Sequence, residues 1–447
     1  MKGWFGTIQK PGWLAFQLGL FLLPSSALLA GLFLFITCVA GSRNRAVSLW
    51  RDAWMRPLII AGALMLIGAA TAETGSLAWV GLGNWLPFFW GFWAFRPFLA
   101  TETQRERAAL MLLAGTVPVL VTGFGQMLLN WEGPWQLLGG GIIWHLAPGG
   151  QPQGRLSALF DYANVAGAWL GSIWPFALAA MLRRRTAAWS RGLALLLAAA
   201  IVAAVLMTQS RNAVASLVLA VPWVLGPAQW WWLLPLFVLA AVPVLLVSIP
   251  GVPPSLQQWA QLLLPDSVRQ RLLENNFKQN LTRLSQWQYG LQLIAARPWL
   301  GWGAAAFSVL YPIHAQRKWH GHSHNLPLEL AVSHGLPVAL LVVGTVLVLL
   351  MFALWKGMLR GGPMDRAWWT ALFVLITMHA TDLPFFDSRM NILGWILLAG
   401  LCAFNCEKEP DRDDPAVFPE PVCAQAIMSR FWRPMGRLYF CTGVGRV

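Results

Sequence analysis

Apolar runs close to twenty residues long recur along almost the whole chain, separated by short hydrophilic breaks that carry arginine; no other feature constrains the fold as much. A helix needs about 20 residues to cross a bilayer, because each adds about 1.5 Å against a hydrocarbon core of about 30 Å. Inside that core every backbone N–H and C=O must be satisfied within the segment, so such runs fold as helices. Composition agrees: 57% of the 447 residues are hydrophobic, 28 are tryptophan and 11% are charged. That is more apolar surface than a soluble domain hides. The predicted fold class is all-α, a polytopic integral membrane protein.

Charge sets the expected orientation. The break from Gly41 to Pro57 holds Arg43, Arg45, Arg51 and Arg56; the next holds Arg105 and Arg107, and the third Arg183, Arg184, Arg185 and Arg191. Positively charged short loops stay in the cytoplasm, which requires an even number of spans between them. Blocks near 58–73 and 79–99, then 108–129 and 164–182, satisfy that parity. With Lys2 and Lys10 also inside, 13–41 becomes a hairpin of two short helices turning at Pro24-Ser25-Ser26. Further blocks lie near 192–209, 213–226, 230–248, 326–354, 367–384 and 389–405, with Lys356, Arg360 and Arg366 in a last cytoplasmic break. About twelve spans result, with both termini cytoplasmic, as expected of a multi-pass protein of the inner (plasma) membrane. The outer face then receives 130–163, 209–212 and a long loop at about 249–325 carrying short helices. Residues 1–406 form the membrane domain. The charged tail 407–447 lacks helical periodicity and reads as a mostly disordered cytoplasmic segment.

The formal charge of +14 resides largely in those breaks, where it sets orientation rather than binding nucleic acid. The five cysteines (Cys38, Cys402, Cys406, Cys423 and Cys441) avoid the outer loops, so no disulfide framework is expected. The first apolar run lacks a small-residue cleavage site, so no cleavable signal is expected. Gly139-Gly140-Gly141 lacks the strand context and lysine of a phosphate loop and reads as a flexible outer loop.

One polar stretch, Arg283 to Gly335, stands between long apolar blocks and gathers five of the seven histidines. Trp287, Leu291 and Ile294 recur at helical spacing as a packing face, and Arg283 lies one turn before Trp287. Arg211 closes one apolar block and opens the next; it is either a snorkelling arginine or a fixed anion binder, since a guanidinium forks onto phosphate oxygens. The long loop carries seven basic against two acidic residues, which favours an anionic partner: lipid headgroups or a diphosphate-bearing substrate. Alternation of His320, His322 and His324 would put three rings on one side and permits a metal, but no carboxylate or cysteine is near in sequence. A general base fits His324 better, directly before a helix start at Asn325. His334 reads as a buried structural histidine. His379 and Asp382, one turn apart near a block's end, are either a local hydrogen-bonded pair or part of a site.

These residues carry a resemblance. His324-Asn325, nine residues, then Gly335, preceded by Arg283 with Trp287 and by Pro298-Trp299-Leu300-Gly301-Trp302-Gly303 with Phe307, resembles the signature region of the O-antigen ligase and polymerase superfamily. Thr208-Gln209-Ser210-Arg211 agrees, as does Gly154-Arg155-Leu156 with Phe160 and Asn164. The run His322 to Leu330 is most similar to a cyanobacterial branch labelled inorganic carbon uptake proteins. Where the family's ligases continue glycine, two residues, glycine, this chain has Gly335 followed by Val338.

The resemblance implies a metal-independent, inverting glycosyltransferase without cofactor, moving a glycan from undecaprenyl diphosphate to a lipid or glycan acceptor hydroxyl at the outer membrane face. Within it, Arg211 and Arg283 would hold the diphosphate and His324 would activate the acceptor. Arg155, Asn164, His322, Asn325, Arg297 and Asp382 would line the substrate site. Membrane lipids are the other expected partner. An O-antigen polymerase and a bicarbonate-transport protein are the alternatives; the latter requires binding groups near the bilayer midplane, where the blocks hold few ionisable residues.

Overall fold

The computed structural model describes residues 2–43, 45–183, 187–248, 251–263, 276–316 and 321–406. It is a helical bundle, and the expected hairpin opens it: α1 (Lys2–Leu22) and α2 (Ala27–Ser42) turn at Pro24, and the Ser26 hydroxyl accepts from Leu29 N at the start of α2. After the short α3 (Ala46–Arg51) comes α4 (Met55–Ala70). The expected block at 79–99 is not one helix. It divides into α5 (Ser76–Gly81) and α6 (Leu86–Phe95), because Pro87 has no N–H and its ring would collide with the preceding turn.

Thr101 and Gln104 form a reciprocal capping box that starts α7 (Glu102–Leu128). Two short antiparallel strands follow, β1 (Trp135–Leu137) and β2 (Ile142–Trp144). The glycine run read as a flexible loop is the turn of this hairpin, with Gly139 and Gly140 at φ 63° and 93°. Next come α8 (Ala163–Met181), α9 (Ala188–Thr208), α10 (Arg211–Leu225) and α11 (Trp230–Ser248). The expected long loop contains α12 (Pro254–Leu263), α13 (Asn276–Ala296) and α14 (Ala306–Ala315). The chain closes with α15 (Leu326–His334), α16 (Leu336–Trp355), α17 (Pro363–His379) and α18 (Ser388–Cys406). The tail from 407 lies outside the described residues.

By length and composition α7, α9, α16 and α18 can each cross a membrane, and shorter apolar helices accompany them. Leu193, Leu195 and Leu196 on α9 and Leu340, Val348 and Met351 on α16 are exposed, as expected of helices facing lipid, whereas α18 is buried on nearly every side.

The expected single block at 326–354 is broken between α15 and α16 at Gly335, where φ is 86° and a Cβ would lie 2.2 Å from the Trp299 carbonyl oxygen. The loop from Pro298 to Gly303 closes on this break. Trp302 N and Gly303 N donate to the carbonyls of Val332 and Ser333, and Leu336 N donates to that of Pro298. Helix-end carbonyls need such partners, and here a loop distant in the chain supplies them.

Helix α13 also corrects the expected packing face. Leu291 is 59% exposed, and the buried face is Gln286, Gly290, Leu293 and Ile294. Gly290 sits against Leu328 of α15, so the helix turns its small residue, not Leu291, toward its neighbour.

Polar contacts divide the bundle into two ends. At one, Arg105 at the start of α7 pairs with Asp365 at the start of α17, Arg183 after α8 pairs with Glu106, and Arg366 donates to Val224 O at the end of α10. At the other, Asn164 at the start of α8 meets Asp382 after α17, Arg155 donates to Thr208 O at the end of α9, and Asn325 donates to Ala380 O. The breaks at Arg105, Arg183 and Arg366 therefore share one end, and segments 155–164, 208–212 and 321–325 share the opposite one.

Candidate functional site

Close helix approach assembles the second end. A Cβ at Gly171 of α8 would fall 2.2 Å from Ser216 Oγ of α10 and 2.8 Å from Met378 Cε of α17. Only glycine admits that contact, and with it Asn164, Ser210 and Asp382 converge at one mouth. The helix start that was expected to fix His324 is present. Asn325 caps α15 by accepting from Leu328 N at 2.9 Å, and its amide donates to Ala380 O at 3.0 Å, tying the loop to the end of α17. His324 itself stands at φ 56°, a left-handed conformation costing a non-glycine residue on the order of 1 kcal/mol or more.

What holds that conformation is a set of hydrogen bonds, one buried and three partly buried. Ser323 N donates to Glu329 Oε2 at 2.9 Å, Ser323 Oγ to Asn325 O at 3.1 Å, and Trp287 Nε1 to Ser323 O at 3.0 Å; Ser308 donates to Gly321 O. Glu329 is itself buried, and its Oε1 has no hydrogen-bond partner among the described residues. Glu329 escaped the sequence reading, although an acidic residue at the start of an apolar block was a visible signal.

His324 Nδ1 lies 2.9 Å from Asp382 Oδ1. Asp382 Oδ2 accepts from the Asn164 amide at 3.2 Å, and Asn164 Oδ1 accepts from Arg155 at 2.6 Å. Arg155, Asn164, Asp382 and His324 thus form one chain of contacts that joins three separate segments. Asp382 stands in the connector beyond the end of α17. Burial alone would push its carboxyl up; the hydrogen bond with His324 and the His324 and His322 rings beside it outweigh that and hold it at about 2. A carboxylate on Nδ1 fixes that nitrogen as the N–H and makes Nε2 the basic one.

His322 packs edge-on against His324 with ring centroids 4.3 Å apart, and its Nδ1 accepts from His324 N at 3.2 Å. These two rings lie together, but through the left-handed turn at His324 and not through the extended alternation that was expected; His320 lies outside the described residues. His322, His324 and Asp382 offer ligand atoms within 4.8 Å of one another, so a divalent ion is geometrically admissible. Both Asp382 oxygens already take part in contacts with His324 and Asn164, so an ion there would compete with at least one of them.

These groups line a cavity of about 540 Å³. His322, His324, Asn164, Ser210, Asn212 and the carboxylates of Asp161, Asp382 and Asp387 form its polar side, and Val165, Ala168, Met378, Leu383, Pro384 and Phe386 its apolar side. Arg211 opens α10 between Ser210 and Asn212, both on the cavity wall, but is not itself in the lining. Arg283 is half-buried on α13, about 6 Å along the axis from Trp287, whose indole binds the His324 loop. Arg297 lies apart, paired with Glu73 and stacked 4.4 Å over Trp302. His334 is buried edge-on to Trp85, and His379 is buried with no partner for Nε2 among the described residues.

No curated protein matches the chain. Residues 193–343, running from α9 into α16 and including Arg211, Arg283 and His324, match the family model described as O-Antigen ligase, and that match identifies the region as belonging to the O-antigen ligase superfamily.

Proposed function

We propose that the chain is a membrane glycosyltransferase that moves a glycan from undecaprenyl diphosphate to an acceptor hydroxyl, with His324 as the general base. The carrying observation is the His324–Asp382 contact of 2.9 Å on the wall of a cavity whose other side is apolar. In this reading the acceptor oxygen attacks the anomeric carbon as the bond to the diphosphate oxygen breaks. The proton passes to His324 Nε2, Asp382 stabilises the resulting imidazolium, and the diphosphate leaves with the bonding electrons. A single displacement from the opposite face inverts the anomeric centre. Arg211, beside the cavity wall, and Arg283, one turn from the Trp287 that bonds the His324 loop, are the candidates to meet the departing charge. The segment carrying the site faces outward across the inner membrane, and the arginine-bearing end faces the cytoplasm.

A bicarbonate carrier is the weaker reading. It needs open backbone or charged groups at a helix break, and the break at Gly335 has its groups taken up by the Pro298–Gly303 loop.

The test is His324→Ala in membranes loaded with lipid-linked glycan. Removing a general base costs about 10²–10⁴ in rate. The variant should still bind the donor, His322→Ala should keep most activity, and a chelator should change nothing. If both variants fail alike and zinc restores chelated wild type, the cluster is a metal site.

A further inference from the structure

Three groups of metal-ligand type meet at the cavity wall: His322, His324 and Asp382, whose donor atoms all lie within 4.8 Å of one another. They come from the loop entering α15 and the connector beyond α17, and no other such trio forms among the described residues. Each is partly exposed, so an ion can reach them from the cavity. Two imidazoles and a carboxylate suit zinc and similar divalent transition ions, which accept nitrogen and oxygen together. Magnesium and calcium want oxygen donors and more of them, so the set selects against both.

The spacing admits one ion. His324 Nδ1 and Asp382 Oδ1 stand 2.9 Å apart, and two ligands of a tetrahedral zinc, each about 2.0–2.1 Å from the metal, lie roughly 3.3 Å apart. A small opening of that contact lets the ion in between. The His322 ring, with its centroid 4.3 Å from that of His324, is near enough to supply a third ligand. Yet the trio is not arranged for a resident ion. His324 Nδ1 and Asp382 Oδ1 point at each other, Leu383 N donates to the same Oδ1 at 2.9 Å, and Asn164 holds Oδ2. An ion therefore enters only by breaking the contact that orients the base.

The chemical consequence is inhibition. With Asp382 on Nδ1, the imidazole keeps its proton there and leaves a lone pair on Nε2. An ion that takes Nδ1 sends the proton to Nε2, so the nitrogen assigned to accept the acceptor's proton has no lone pair left. Asp382, now a ligand, no longer faces the imidazolium. We propose that His322, His324 and Asp382 form an inhibitory zinc-type site: the ion-free protein is the active one, and the bound ion switches its base off. The switch rests on the transferase reading; the ion site stands on the three side chains alone.

The test uses the full chain in nanodiscs with its cysteines blocked by N-ethylmaleimide. Cobalt(II) reports binding without turnover: held by these three ligands it should give a visible absorption band that His322→Ala and Asp382→Asn both lose. In the transfer assay zinc chloride should lower the wild-type rate progressively, and excess chelator should return it. His322→Ala should raise the half-inhibiting zinc concentration at least about tenfold against that variant's own uninhibited rate, since even an outer partner of a metal contributes about that much affinity. His314→Ala, in α14 and outside the trio, should shift nothing. No cobalt band up to about 1 mM, a concentration that reveals even weak binding, overturns the site, as does zinc inhibition that His314→Ala shifts as much as His322→Ala. Cobalt bound with a transfer rate that zinc leaves unchanged overturns the switch. Zinc that restores activity lost to a chelator makes the ion a resident catalyst and overturns it too. Should His324→Ala transfer at the wild-type rate, the base reading falls and the switch with it, while a band lost in both ligand variants keeps the ion site.

Discussion

Arg105 and His324 each hold an aspartate at 2.9 Å, at opposite ends of the bundle and to opposite effect. Arg105 is 1% exposed. Its guanidinium reaches both Asp365 oxygens and the carbonyls of Leu99 and Ala100, fixing the starts of α7 and α17 against each other. The His324–Asp382 pair keeps partial contact with solvent, and it commits Nδ1 while the ring borders a cavity. The same kind of contact is therefore a lock where every polar atom faces protein, and a reagent where one face is open.

The largest effect should come from breaking the lock. Arg105→Ala strands a buried carboxylate, which costs about 3–5 kcal/mol, so the detergent-solubilised protein should lose its cooperative thermal transition or shift it far down. Replacing both partners, Arg105→Met with Asp365→Leu, should recover most of the loss, because the desolvation penalty disappears with the pair. An unshifted transition in Arg105→Ala would erase the distinction between the two ends.

At the open end the loss should appear in rate. Asp382→Asn keeps shape but removes the charge facing the imidazolium, and a charged hydrogen bond contributes about 1.5–3 kcal/mol, or roughly ten- to a hundredfold in rate. The same variant carries a pH signature. The Asp382 carboxyl is held at about 2, below the unfolded value of about 3.9. A depressed carboxyl contributes stability that is fully present above the unfolded value and is lost as pH falls through the folded one. Wild type should therefore exceed Asp382→Asn by on the order of 2 kcal/mol near neutrality, and the difference should vanish between about pH 4 and pH 2. Parallel pH-stability curves would mean the carboxylate is not held by His324.

Local signals explain what the sequence disclosed. Helix ends follow from apolar period, the Thr101 capping box and the Asn325 cap, and the structure meets the expected blocks within a few residues. Breaks were legible only when their cause was local. Pro87 could have been read as splitting the block at 79–99, but Gly335 breaks its helix against Trp299, a contact that periodicity does not encode. The site shows the same division. His324 and Asp382 each stood out as polar residues beside apolar blocks, yet their pairing joins positions 58 apart. Arg155 and Asn164, read as substrate-lining, contact each other, and Asn164 reaches Asp382, 218 positions on, a pairing that no spacing reveals.

The smallest effect should come from Glu329, where the two kinds of contact meet: a buried carboxylate, as at the locked end, acting on the loop of the open one. Its Oε2 receives Ser323 N–H, one residue before the left-handed His324. Glu329→Gln keeps an acceptor oxygen there, so it should lower kcat only about threefold, within the roughly 0.5–1.5 kcal/mol of an ordinary hydrogen bond. Glu329→Ala leaves Ser323 N–H buried without a partner, at about 1–3 kcal/mol. Because that cost falls on the position of His324 rather than on donor binding, kcat should drop with KM nearly unchanged. The reverse split, a raised KM at constant kcat, would assign Glu329 to the substrate side. Equal thermal destabilisation by both variants, with kcat unmoved, would reduce it to one more lock.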